Sequence, residues 1–368
     1  MAQKICEGTE RLRCHWKRRA SKMQINGRNI GDGNPCYIIA EMSANHAGSI
    51  EHAKEIIHAA KEAGADCLKI QTYTADTITM NCNNKYFHID NGTWEGENLY
   101  SLYQKAYTPW EWQAELYDTA KKMGIDFFST PFDFTAVDFL EEIGMEFYKI
   151  ASFELVDLPL IEYVASKGKP IIMSTGMGSL GEIEEAVNAI KKYNCPLALL
   201  KCSSAYPAIP DSMNLKTIPN MKELFNVPVG LSDHSMGSIA AVTAVALGAN
   251  IIEKHFCLSR AIENPDSSFS MEPKEFDEMV KNIRDAECAM GKVSYEVTES
   301  EKSNREFRKS LFVVKDIKAG EKLTAENIRI IRPGQGMKPK YYREVLGKIA
   351  LEDISAGTPL NMCHFRKE

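Results

Sequence analysis

Lysine seldom stands inside an apolar run, yet Lys69 in CLKIQTY, Lys149 in FYKIAS and Lys254 in IIEKHFCL all do. A buried ammonium without a partner costs several kcal/mol, so each lysine needs an anion. Glu41 or Glu253 could supply it as an ordinary internal pair, and so could a ligand carrying phosphate or carboxylate. The hydroxyls of Ser174, Thr175, Ser203 and Ser204, which end two further runs, favour the ligand once all three lysines are taken together. His234 and His255 end two more. Either alone reads as a core histidine, but a pair at neighbouring positions can hold a divalent ion and leave sites open to water and substrate oxygens. Structural zinc wants four protein donors, so Mn²⁺ or Mg²⁺ fits better than zinc.

Those residues sit at the ends of a regular series. From residue 36 a short β-rich run is followed by an amphipathic stretch that usually ends in glycine, which is how alternating strands and helices read. The runs begin at 36, 67, 126, 147, 170, 197, 228 and 251, which predicts eight strands. Between them SIEHAKEIIHAAKEAG places Ile50, Ala53, Ile56, Ile57 and Ala60 on one stripe, and PKEFDEMVKNIRDAECAMG opens on a proline. Eight such units close into a parallel (β/α)₈ barrel of about 250 residues. A doubly wound open sheet is disfavoured because no run leads into a G-x-G-x-x-G turn. In a barrel the C-terminal strand ends form the active face, which makes Glu41, Asn45, Gln71, Thr130, Ser152 and Asp233 further candidates beside those above.

Two segments break the rhythm. Residues 74–108 form a long insertion after the second strand, carrying Tyr86, Phe87, Trp94, Tyr100 and Tyr103. An aromatic lid and a packed Ω-loop are equally good readings of it. After Gly291 a charged linker over 293–310 leads into a small, mostly β unit over 311–368, where Asp316-Ile317, Ala319-Gly320 and Leu323 recur as Asp353-Ile354, Ala356-Gly357 and Leu360. The barrel is expected over 23–292.

Composition excludes some functions. The chain has 368 residues, and 44 basic against 50 acidic side chains leave a net charge of −6, which offers no general attraction to nucleic acid or to an anionic membrane. No window approaches the ~18 apolar residues a membrane span requires. Ten cysteines lie scattered without a C-x-x-C pair, which favours a reducing cytoplasm. Residues 1–22 are basic, with Lys4, Arg11, Arg13, Lys17, Arg18, Arg19 and Lys22 against Glu7 and Glu10. They read as a disordered, solvated tail, with Met23 as an alternative start.

The segments IAEMSANHAGS, GADCLKIQTYTADTIT, AYTPWEW, FFSTPFD, YKIASFE, STGM, KCSSAYP, GLSDHS, IEKHF, RPGQG and LGKIALEDI together resemble the sialic acid synthases, within them the pseudaminic acid synthases, from about 25 to 366. The resemblance implies a TIM barrel closed by an antifreeze-like SAF domain. It implies condensation of phosphoenolpyruvate with an N-acylated hexose to give a nine-carbon 2-keto sugar acid and phosphate. In that picture His234 and His255 hold Mn²⁺ or Mg²⁺, with Co²⁺ as a further option. Lys69, Lys149, Ser174, Thr175 and Ser204 bind phosphoenolpyruvate, and Glu41 orients or deprotonates water. Asn45, Gln71, Thr130, Ser152, Tyr206 and Asp233 complete the expected substrate-binding set. Arg332, in RPGQG, matches an arginine that reaches a partner subunit's barrel to hold the sugar's N-acyl group, which implies a domain-swapped homodimer. QTYTADTIT and the insertion look more like enzymes acting on 2,4-diacetamido-2,4,6-trideoxy-altropyranose than like N-acetylneuraminate synthases, with legionaminate synthesis a further alternative.

Two other classes compete. A lysine aldolase would form a Schiff base on Lys69 or Lys149 and need no metal. A sugar- or ice-binding protein built on the last unit would leave the histidines and buried lysines without a purpose.

Overall fold

The computed structural model describes residues 23–365, so the basic segment 1–22 lies outside the described residues. The chain enters through a hairpin that the eight-strand reading omits: β1 (Met23–Ile25) pairs antiparallel with β2 (Arg28–Ile30). Asn26 and Gly27 turn it with φ of 47° and 79°, the left-handed pair that a two-residue hairpin demands. Met23, Ile25 and Ile30 are buried in the barrel's core. Asn26 reaches Asp126 at 2.9 Å and Arg28 pairs with Asp66; both carboxylates lie at strand N-terminal ends, so the hairpin plugs the face opposite the strands' C-terminal ends.

All eight expected strands form. β3 (Tyr37–Glu41), β4 (Cys67–Thr72), β5 (Asp126–Pro131), β6 (Tyr148–Ile150), β7 (Ile171–Ser174), β8 (Leu197–Cys202), β9 (Val229–Asp233) and β10 (Ile251–His255) pair in sequence order, and β10 closes on β3. The register sets Glu41 beside Lys69 and His255 beside Glu41. Every residue of β3 and β7 is buried, as expected of parallel strands covered on both faces.

The helices follow their sequence signals. Ser49 accepts a hydrogen bond from the His52 N–H and starts Ile50–Glu62, which buries Ala53, Ile56, Ile57 and Ala60. Glu272 and Glu275 form a capping box around Pro273 at the start of Pro273–Met290. The insertion contains the helices Ala75–Ile78 and Leu99–Ala106. Among the described residues no helix is long and apolar enough to cross a membrane.

A second compact unit runs from Lys292. Its β11 (Ser310–Val313) and β12 (Ile328–Ile331) pair antiparallel over a core that includes Leu311, Ile317, Leu323, Ile328, Ile354 and Leu360. The near repeat of the sequence becomes a reciprocal clasp. Ile317 and Ile354 exchange two backbone hydrogen bonds of 2.9 and 2.8 Å. Asp353 accepts from the Ala319 N–H at 2.9 Å, and Asp316 from the Ala356 N–H at 2.8 Å.

Candidate active site

A charged layer crosses the barrel near the C-terminal ends of its strands. Lys69 Nζ lies 3.0 Å from Glu41 and 3.1 Å from Glu253, and Lys149 Nζ lies 3.4 Å from Glu253, with all four side chains almost fully buried. Ser232 donates to Glu253 at 3.0 Å, and Gln71 donates to Glu41 at 3.2 Å and to Ser43 at 2.9 Å. Lys69 therefore has its anions within the protein. Burial works against its charge, but Glu253 and Glu41 outweigh burial and raise its pKa. Burial lowers Lys149, whose one ion pair among the described residues is with the more distant Glu253. Burial also raises Glu41, against the pull of Lys69.

The strands flanking Lys149 present hydroxyls with nothing to bond. Thr130 Oγ1 on β5 and Ser174 Oγ on β7 are buried without a partner among the described residues, and a buried hydroxyl calls for one, from water, an ion or a ligand. Beyond Ser174 the chain narrows to a cradle. A Cβ on Gly176 would lie 2.2 Å from Ser204 Oγ and 2.7 Å from Ser152 Oγ, so both serines converge on that glycine. Gly176 N–H donates to Ser152 at 3.0 Å, whereas Thr175 donates to the Leu200 carbonyl at 3.1 Å. Hydroxyls on the strands that flank Lys149, with two serines converging on Gly176, suit a phosphate or carboxylate.

The histidines meet one step away. Cys202 Sγ lies 3.8 Å from both Ser204 Oγ and His234 Nδ1, and that nitrogen lies 3.0 Å from the Ser203 carbonyl. The rings of His234 and His255 are 5.5 Å apart, and Tyr206 lies against His234 at 4.2 Å. His255 Nδ1 is buried without a hydrogen bond, with Asp266 at 3.9 Å. Burial, followed by the charge of His234, holds His255 well below the usual imidazole range and so neutral, the form that ligates metals. No third His, Cys, Asp or Glu joins them as a ligand group among the described residues. The pair fits Mn²⁺ or Mg²⁺ completed by water and substrate oxygens, and does not fit structural zinc.

Other candidates are placed differently. Asp233 alternates with the inward Ser232 and His234 and is spent elsewhere: it accepts from Ser235 N–H at 2.8 Å and pairs with Lys254 at 2.7 Å. Strand alternation places both side chains on the face turned away from the barrel interior, so Lys254 has the internal carboxylate partner that was one of its two readings. Asn45 is fully buried, donating to Ser270 at 2.9 Å with its Oδ1 unpartnered. Arg332 is exposed in the second unit. Glu154 and Asp266 were missed. Glu154 lies two residues past Ser152, and burial pushes its carboxyl up to about 7, opposed by its own backbone N–H and by Lys149. Burial, then the charge of Glu154, raises the Tyr103 hydroxyl on the insertion helix. Asp266 accepts from Ala44 N–H at 3.2 Å and faces His255. A strand-end rule extended two residues past the run FYKIAS finds Glu154; Asp266, eleven residues past β10, carries no local signal.

Residues 56–295 match the NeuB family and residues 308–366 match the SAF domain. Over 345 residues the chain is 47% identical to the pseudaminic acid synthase of Campylobacter jejuni subsp. jejuni serotype O:23/36, spanning 94% of this chain and 100% of that protein. It is 36% identical to the N,N′-diacetyllegionaminic acid synthase of Legionella pneumophila, over 92% of this chain and 98% of that one. A crystal structure of N-acetylneuraminic acid synthetase from Leptospira borgpetersenii, in complex with citrate, superposes with a TM-score of 0.70 at 34% identity, covering 77% of this chain and 95% of that one.

Proposed function

The chain belongs to the NeuB family, and from that premise we propose that it condenses phosphoenolpyruvate with 2,4-diacetamido-2,4,6-trideoxy-altropyranose and water to give pseudaminic acid and phosphate. The observation that carries the chemistry is the closeness of an anion cradle to a metal-ready pair: Ser152 and Ser204 around Gly176, then Cys202, then His234 and His255. The choice of sugar rests on 47% identity to a pseudaminic acid synthase against 36% to a legionaminic one.

Lys149 and Lys69, with Ser152, Ser174, Thr175 and Ser204, bind the phosphate and carboxylate of phosphoenolpyruvate. The bond formed joins its C3 to the acceptor's carbonyl carbon; water adds at C2, and the C–O bond to phosphate breaks. Glu41 orients that water and takes its proton, and Glu154, poised near neutrality, is a second carrier. Bound at His234 and His255, a divalent ion, Mn²⁺ or Mg²⁺ with Co²⁺ as the third option, would polarise the acceptor aldehyde.

A Schiff-base aldolase fits less well. Lys69 is held charged between two carboxylates; burial lowers Lys149 and so suits it better to that role, but either lysine would leave the paired histidines without a part. EDTA should therefore abolish turnover and Mn²⁺ restore it, without borohydride trapping at Lys69 or Lys149.

The assembly is read as a domain-swapped homodimer in which Arg332 of a second copy holds the sugar's N-acyl group. Phe153, Val156, Met177, Leu180, Met236 and Ile239, all exposed after β6, β7 and β9, give such a copy an apolar rim to cover. The eight described cysteines are free, which suits a cytoplasmic enzyme. The test is phosphate release with phosphoenolpyruvate and Mn²⁺, comparing the altrose derivative with N-acetylmannosamine and with the legionaminic acid precursor. Preference for either of the latter would overturn the choice of sugar and leave the chemistry standing.

A further inference from the structure

The insertion reaches across the barrel mouth. β4, from which it departs, and β8 lie opposite each other in the ring, with three strands between them on either side. Even so, Thr93 donates its hydroxyl to the carbonyl of Tyr206, beyond β8. Trp94 donates its indole N–H to the Pro265 carbonyl, beyond β10, at 2.8 Å. One short stretch thus ties the second strand's loop to the loops of the sixth and the eighth.

Trp94 stands at the apex of two ring-to-ring chains. One runs to Tyr206 at 5.4 Å and on to His234 at 4.2 Å. The other runs to Phe269 at 6.2 Å and on to His255 at 5.0 Å, both edge-on. The two histidines need this support to different degrees. His234 is anchored at Nδ1 by the Ser203 carbonyl, the kind of second hydrogen bond that normally orients a metal-binding imidazole. His255 Nδ1 has no such bond among the described residues, and Asp266 stands 3.9 Å away. Ring packing must do for His255 what a carbonyl does for His234, and Phe269, only 2% exposed, is held from above by Trp94.

We propose that Trp94 is a positioning residue, which presses Tyr206 and Phe269 onto His234 and His255 and so sets the two imidazoles at the separation a divalent ion requires. The proposal rests on the metal-dependent reading given above, but its measurement needs no turnover. The same indole closes the mouth over the metal half of the site, where the acceptor sugar enters.

The full chain, stripped of metal with a chelator, is titrated with Mn²⁺ alone and followed by isothermal calorimetry and by the EPR signal of free Mn²⁺. Trp94→Ala is expected to bind Mn²⁺ about tenfold more weakly, with unchanged phosphoenolpyruvate affinity and an unchanged melting curve, whereas Trp94→Phe stays close to the parent. Phe269→Leu, which cuts only the arm to His255, is expected to weaken Mn²⁺ binding as well and decides the matter if Trp94→Ala fails to fold. Parent-like Mn²⁺ affinity in Trp94→Ala, or in Phe269→Leu where that variant decides, overturns the proposal, as does a parent protein that binds no Mn²⁺. Mn²⁺ binding that depends on Trp94 in a protein turning over none of the candidate sugars would leave Trp94 in its role and sink the proposed reaction instead.

Discussion

Lys254 Nζ lies 2.7 Å from Asp233 Oδ2, with side chains 1% and 0% exposed, and each residue immediately precedes one of the paired histidines. The two face each other in the β9–β10 register, and Lys254 also donates to the Ser235 carbonyl at 2.6 Å. The ion pair is a staple behind the site: it fixes the strand ends from which His234 and His255 project inward. Removing one partner strands the other's charge in the interior, which typically costs about 3–5 kcal/mol. Lys254→Met is expected to lose that much in urea unfolding, and a loss within experimental error would show that Asp233 finds water or another partner.

Gly176 offers a test of the cradle that spares the fold. The methyl group of Gly176→Ala would collide with two serine hydroxyls, at 2.2 and 2.7 Å. A hydroxyl moves by a rotamer change, so the barrel should stay intact while Ser152 and Ser204 swing out of the cradle. Each hydrogen bond to a charged group is worth about 1.5–3 kcal/mol, so the KM for phosphoenolpyruvate should rise about tenfold or more, with little change in melting temperature. A normal KM would remove these serines from phosphoenolpyruvate binding.

Glu154 gives stability a pH dependence of definite sign. Its carboxyl is held at about 7 in the fold, chiefly by burial, against 4.5 ordinarily. Below pH 4.5 folded and unfolded chains are both protonated there. Between the two values the fold keeps a proton that the unfolded chain has released, so the contribution is present at low pH and lost as pH rises through 7. Glu154→Gln keeps the shape and cannot titrate, so its stability should vary less between pH 4.5 and 7 in denaturant melts. A variant as steep as the parent would assign that titration to another group.

The barrel was legible because each part of it is local. Strand runs, the stripe of Ile56, Ile57 and Ala60, and the cap at Ser49 depend on neighbours within a few residues. The hairpin is equally local, since Asn26-Gly27 between Ile25 and Ile30 is a strong turn signal, but its three-residue strands are shorter than the apolar runs that mark the barrel strands. The pairing of Asp233 with Lys254 is local too, since period-two alternation sets Asp233 on the other face from Ser232 and His234. The rest was hidden by distance. That Lys69 finds both Glu41 and Glu253, or that Trp94 hangs on the Pro265 carbonyl, depends on barrel closure bringing together residues 28 to 184 positions apart in sequence.

Arg332 carries the last prediction. Its loop is pinned: Ser310 donates to the Pro333 carbonyl at 2.6 Å, Gly334 N–H donates to the Glu306 carbonyl at 2.8 Å, and Gly336 N–H donates to Ser310 at 2.9 Å. The guanidinium itself is left exposed. A loop pinned in this way, presenting a cation with no ion pair among the described residues, suits recognition better than stability. Arg332→Ala should therefore melt like the parent and raise the KM for the sugar about tenfold or more, leaving the KM for phosphoenolpyruvate unchanged; equal weakening of both would count against this role. Mixed dimers separate action within one chain from action between two. Arg332→Ala and Lys149→Ala chains, each impaired alone, should regain activity when co-expressed, because one mixed site then unites an intact Lys149 with an intact Arg332 from the other copy. If co-expression restores nothing, the arginine does not cross to the neighbouring subunit and the domain-swapped arrangement is wrong.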